Sequence, residues 1–226
     1  MELITSRRNP LVGRLRALHQ PKGRREQGLV LLEGTHQLQE LLRLGLQPEL
    51  VVATPAWIER HGSLLAERST PLQPVGDEVM AAVATTDHPD GVVATLVREA
   101  LPIARGDGAF VLVLDQLQDP GNLGSILRST AAAGFRQVYL SAQCADLWSP
   151  KVLRAGMGAH FHLECFAGTD LAGFAAGFGY LVPLGRPLLT WSAVVRRDRA
   201  RVRVPAGSVA LAAGMSAVFS HRAYTV

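Results

Sequence analysis

The chain has 226 residues, a formal charge of +4 and a sequence pI near 9.6, so it is long enough to bury a core without metal or disulfide support. Its two cysteines, Cys144 and Cys165, make no C-x-x-C pair and no framework of bridges, which suits a reducing compartment and argues against a zinc site. The opening residues hold no apolar stretch of signal-peptide length, and nowhere do roughly eighteen apolar residues run together, so the expectation is a cytoplasmic chain without a membrane span.

Lys22 and Lys151 are the only lysines, so the positive charge is almost all guanidinium, whose planar fork grips phosphate and stacks on bases. Residues 1–25 are the most basic stretch, with Arg7, Arg8, Arg14, Arg16, Lys22, Arg24 and Arg25 against the single acid Glu2. Between Asn9-Pro10 and Gln20-Pro21, Leu11, Leu15 and Leu18 fall at helical spacing. The arginines then decorate the polar face of a short helix and the loop after it, and both a solvated face and a phosphate-contacting arm fit this pattern.

Leu29–Leu32 reads as a strand, followed by Glu33-Gly34 and a helix whose apolar stripe is Leu38, Leu41, Leu42 and Leu44, ended by Gly45. A second strand follows at Leu50–Ala53, then helices around Ala56–Ala66 and Val79–Val83, and a closing strand at Gly91–Val97. The mixture of charge, proline and glycine over Arg98–Gly108 reads as a linker, with a domain boundary near residue 105.

Past the linker, a strand over Phe110–Leu114, a helix over Asn122–Ala133 and a strand over Gln137–Leu140 make a βαβ unit, with Gly134 in the left-handed position that ends helices. In the turn Asp119-Pro-Gly-Asn122, Asn122 is expected to be the helix N-cap, leaving a seat for an anion or a ribose. Arg128 stands two turns into that helix, on one face with Ser125, within reach of a ligand at the strand's carboxyl edge. Ser149-Pro150 starts another helix, and His160–Cys165 reads as a parallel strand.

Several familiar sites are not met. Gly121-Asn-Leu-Gly124 satisfies neither the dinucleotide fingerprint nor the phosphate loop, and Gly156-Met-Gly158 reads as close packing at a helix end. His160 and His162 would share a strand face but lack a third ligand, so no metal is expected, and no serine sits in a nucleophile elbow.

Leu114-Asp-Gln-Leu-Gln-Asp-Pro-Gly-Asn-Leu-Gly-Ser-Ile-Leu-Arg-Ser-Thr-Ala-Ala-Ala-Gly134 resembles the first motif of the SpoU (TrmH-type) family of RNA 2'-O-ribose methyltransferases. Ser149–His160 is similar to that family's following helix, and Leu32-Glu33-Gly-Thr with Thr85–Ala94 to its N-terminal substrate-binding domain. The resemblance covers roughly residues 5 to 175. It implies an α/β architecture of two domains: an L30e-like RNA-binding domain over 1–105, then a SPOUT methyltransferase domain with an α/β knot over 106–226. It also implies S-adenosylmethionine as cofactor, rRNA or tRNA as substrate, and a homodimer.

Carried onto this sequence, the resemblance makes Asn122 and Arg128 the catalytic pair; the basic arm's Arg7, Arg8, Arg14, Lys22, Arg24 and Arg25, with Glu33 and Ser125, are the expected RNA-binding residues. Arginine is too weak an acid to serve as general base, so Arg128 would position the ribose hydroxyl and stabilise a developing alkoxide. The family's second and third motifs are not intact here. Val209–Gly214 is read as the strand of the second, which assigns Leu211 and Gly214 to the cofactor, and Val204–Gly214 as a decayed third motif is the other option. A shifted reading frame or a truncated gene would produce the charged run Arg196–Arg203 and the unmatched tail after it, and the alternative to an active enzyme is an RNA-binding remnant.

Overall fold

The computed structural model describes residues 2–66, 69–100, 111–171, 180–183 and 191–196. The chain divides into two compact units, one formed by Met1–Leu101 with Trp148–Phe161, the other by Pro102–Leu147 with His162–Val226.

In the first unit, β1 (Leu29–Glu33), β2 (Leu50–Ala53), β3 (Leu72–Pro74) and β4 (Val92–Val97) make a sheet in the order β1-β4-β2-β3. β4 is antiparallel to β1 and to β2, while β3 runs parallel to β2. Side chains alternate across a strand, so β1 feeds two cores. Val30 and Leu32 join Leu38, Leu41 and Leu42 of α3 (Thr35–Arg43), Trp57 of α4 (Pro55–His61), and Leu153 of α7 (Pro150–Gly156) with Phe161 after it. Leu29 and Leu31 join Val12 and Leu15 of α1 (Pro10–Ala17) and Val79, Met80 and Val83 of α5 (Asp77–Val83). Both faces of the sheet are thus covered, which is why every residue of β1 is buried.

One helix here escapes the periodicity of the sequence. α2 (Pro21–Gln27) occupies the expected loop after α1, and of its residues only Gly23 and Arg24 are buried, so no apolar stripe announces it. Proline at its first turn starts it and Gly28, at φ 64°, ends it. Gly23 permits the close approach to α1, since a β-carbon there would fall on the Ala17 carbonyl. β3 also went unseen, being three half-buried residues on the sheet's edge. Leu44 is exposed rather than part of the α3 stripe, and Val12 is buried where Leu11 is only half-buried.

The second unit is a five-stranded sheet in the order β7-β6-β5-β9-β8. β5 (Val111–Asp115), β6 (Gln137–Leu140) and β7 (Glu164–Ala167) are parallel, and α6 (Pro120–Ala132) follows β5. On the other side of β5 lies β9 (Trp191–Arg196), antiparallel to it and to β8 (Tyr180–Pro183). Gly134 has φ 81°, as expected of a helix end. The strand expected at His160 begins instead at Glu164: His160 lies in a 3-10 turn over Ala159–Phe161, so it shares no strand face with His162. His160 is buried with its ring 5.6 Å from that of Trp148, the environment of a core histidine. No helix among the described residues is long and apolar enough to cross a membrane.

Candidate functional site

α6 begins two residues earlier than Asn122, and the sequence contains the reason. Proline at the first helical position is pre-set for a helix start and lacks the N–H that would go unused there. Pro120 therefore makes Asp119 the N-cap, and the Asp119 carboxylate accepts the Asn122 backbone N–H at 2.7 Å. The N-cap assignment of Asn122 is corrected accordingly. So is the expected anion seat, because a carboxylate already takes that donor and places negative charge at the helix start. Replacing Asp119 by alanine is expected to cost about 1 kcal/mol, read as a lower urea midpoint with an unchanged slope.

Leu123, Gly124, Leu127 and Thr130 are the buried residues of α6. Asn122, Ser125 and Arg128 are exposed and follow one another at three-residue steps, so they form one polar ridge along the helix. The ridge starts just beyond the carboxyl end of β5, where an open parallel sheet takes its ligands. Loops stitch this edge together: the Ser141 N–H donates to the Leu114 carbonyl at 3.0 Å, the Ala145 N–H to the Leu117 carbonyl at 2.7 Å and the Thr169 N–H to the Leu140 carbonyl at 2.9 Å. Neither cysteine recommends itself as a nucleophile. Cys144 spends its thiol on the Leu114 carbonyl at 3.3 Å, and burial, reinforced by the neighbouring Glu164, pushes the Cys165 thiol up to about 12.

In the first unit the basic residues sort by their partners. Arg7, Arg8 and Arg25 are exposed, as is Arg16, a further arginine of the basic stretch. Lys22 lies 3.7 Å from Glu26 as an exposed pair worth little in stability, and Arg14 lies 2.6 Å from the half-buried Glu49. Arg24 is different: it is 6 % exposed and donates to the Leu18 carbonyl at 2.5 Å, so its guanidinium caps the end of α1 rather than projecting outward.

Glu33 is likewise turned inward. Its Oε1 accepts the Thr85 N–H at 3.1 Å and the Thr85 hydroxyl at 2.6 Å, and its Oε2 accepts from Arg154 Nη1 at 2.9 Å. Arg154 Nη1 also donates to Thr85 Oγ1 at 2.9 Å. A buried carboxylate needs such partners, and Glu33, only 7 % exposed, is not presented to RNA. Arg154 was missed because nothing in Lys151-Val-Leu-Arg154 says which acid it meets. Leu211 and Gly214 lie outside the described residues.

Residues 109–179 match the SpoU rRNA methylase family and residues 9–94 the MRM3-like substrate-binding domain. The chain belongs to the SpoU (TrmH-type) methylase family. An uncharacterized tRNA/rRNA methyltransferase of Synechocystis is 48% identical over 69% of this chain and 58% of its own length. A 23S rRNA guanosine 2'-O-methyltransferase of Bacillus subtilis is 32% identical over 72% of this chain and 64% of its own length, so the chain spans less than two thirds of either relative. The crystal structure of an AdoMet-bound rRNA methyltransferase from Sinorhizobium meliloti superposes with a TM-score of 0.64 at 28% identity, covering 76% of this chain and 67% of that one. These likenesses establish the α/β methyltransferase fold expected of a SpoU protein. Residues 167–223 match a different description, the carboxyltransferase domain, subdomains C and D, and that stretch includes Leu211 and Gly214.

Proposed function

We propose that this SpoU-family protein is an RNA 2'-O-ribose methyltransferase that moves a methyl group from S-adenosylmethionine to a ribose of rRNA or tRNA, working in the cytoplasm as a homodimer. The observation that carries the reading is the exposed ridge Asn122–Ser125–Arg128, standing just beyond the carboxyl edge of β5 inside the SpoU-matched stretch. In this reading residues 1–105 recognise RNA and residues 106–226 perform the transfer, with helix α7 lent to the first unit.

A guanidinium is not a general base, so the work of Arg128 is electrostatic. Its fork donates to the ribose 2'-oxygen and an adjoining phosphate, holding the hydroxyl in line and favouring the charge that grows on the oxygen as its proton passes to solvent water. The Asn122 amide, with both donor and acceptor, fixes the sugar's orientation. Bound S-adenosylmethionine supplies an electrophilic methyl group. The described residues fit one side of that cofactor: the half-buried Asp115 carboxylate ends β5 at the ligand edge, a suitable acceptor for ribose hydroxyls or an ammonium. For the other side Leu211 and Gly214 remain the proposed contacts.

Incubation with isotopically labelled cofactor and total RNA tests the activity, and label should appear on ribose 2'-oxygens. RNA binding with no label above background would leave a binding protein only. The arm is tested by salt. Affinity for a fragmented rRNA pool should fall linearly on a log–log plot against salt, and Arg7→Ala or Arg8→Ala should each reduce the slope by about 1. A slope unchanged in both variants removes the arm from the interface.

A further inference from the structure

Among the described residues, only Gln116 and Met157 have positive φ without being glycine, at 53° and 47°. Met157 directly follows α7, where a left-handed residue ends helices as a matter of course. Gln116 ends no helix. It sits one residue past β5, at the ligand edge of the parallel strands, where glycine or asparagine would hold the same backbone with less strain. The surroundings enforce the conformation: the Gln116 N–H donates at 3.0 Å to the hydroxyl of Ser141, a residue only 7 % exposed and itself tied to Leu114. Leu114 and Leu117 turn into the core, and the turn between them leaves the Gln116 side chain exposed, its amide making no hydrogen bond among the described residues. A strained residue held by its neighbours, with its functional group presented at a ligand edge, is what a recognition role requires.

We propose that Gln116 is a substrate-recognising residue whose amide pairs with a base of the bound RNA, at an edge offering a donor beside an acceptor. The inference rests on the methyltransferase reading for its substrate class. A primary amide matches adjacent donor and acceptor atoms on one base, as the exposed edges of unstacked single-stranded RNA bases provide. Strain alone does not need an amide, and an amide alone does not need strain, so two substitutions separate the roles. Gln116→Gly removes both, whereas Gln116→Met keeps the length and the strain and removes only the amide.

In the full-length protein, Gln116→Gly should raise the thermal midpoint by about 2–4 °C. Both variants should bind the labelled rRNA pool about 5–10-fold more weakly, with KM for RNA raised in proportion and kcat little changed. Wild-type affinity and KM in Gln116→Met would overturn the proposal. The same result in Gln116→Gly, with the midpoint raised, would reduce Gln116 to a strained loop residue. A wild-type protein that binds RNA and transfers no methyl group defeats the methyltransferase reading separately, because the affinities of the two variants still decide the role of Gln116.

Discussion

Arg128→Ala is expected to lower the rate of ribose methylation by roughly 10²–10³-fold while leaving RNA affinity within about 3-fold of wild type and thermal stability unchanged. The size follows from removing a donor aimed at charge that develops as the ribose oxygen attacks, an interaction lost from kcat, while the lost contact to the adjoining phosphate sets the small change in affinity. The specificity follows from the helix. The buried contacts of α6 come from Leu123, Gly124, Leu127 and Thr130, whereas Arg128 is exposed, and alanine is at least as good a helix former as arginine. Arg128→Lys should recover little, because an ammonium keeps the charge but cannot present two parallel donors to an oxygen and its neighbouring phosphate. Single-turnover labelling of RNA at saturating cofactor measures the chemical step. A rate equal to wild type in Arg128→Ala would remove this side chain from the reaction and leave the ridge without its charged member.

Local chemistry made the elements beyond the linker readable from the chain. The apolar run before Asp115, the Ser149-Pro150 start of α7 and the left-handed Gly134 all declare themselves through neighbours in sequence. The start of α6 shows where such reading stops. Asp119 and Asn122 are both good capping residues, and the position of Pro120 between them decides for Asp119. What no local rule could supply is the destination of a long polar side chain. Arg24 and Arg25 are adjacent and alike in sequence, yet one is enclosed against the Leu18 carbonyl and the other exposed, because Gly23 presses that face of α2 against α1. α2 itself was illegible for the same reason: its contact is made by a glycine and an arginine, residues that leave no hydrophobic period to detect.

Glu33 carries that lesson into energetics, and Arg154→Ala is the variant expected to expose it. The Glu33 side chain is 5% exposed and that of Arg154 34%, so the two partners do not lose equally when the pair is broken. Without Arg154 the carboxylate keeps both Thr85 donors but stays buried with its charge uncompensated, a loss of roughly 2–3 kcal/mol. Glu33→Gln should cost less, roughly 1–2 kcal/mol, because Arg154 then turns to water and the amide oxygen still accepts from Thr85. Adding Glu33→Gln to Arg154→Ala should therefore recover part of the stability, a coupling read from a double-mutant cycle of urea midpoints. Hydrogen exchange would place the damage in β1, an edge strand that α7 packs against through Leu153 and Arg154. A Glu33 that met RNA would behave in the opposite way: Glu33→Gln would change RNA affinity at unaltered stability, and the two substitutions would be additive.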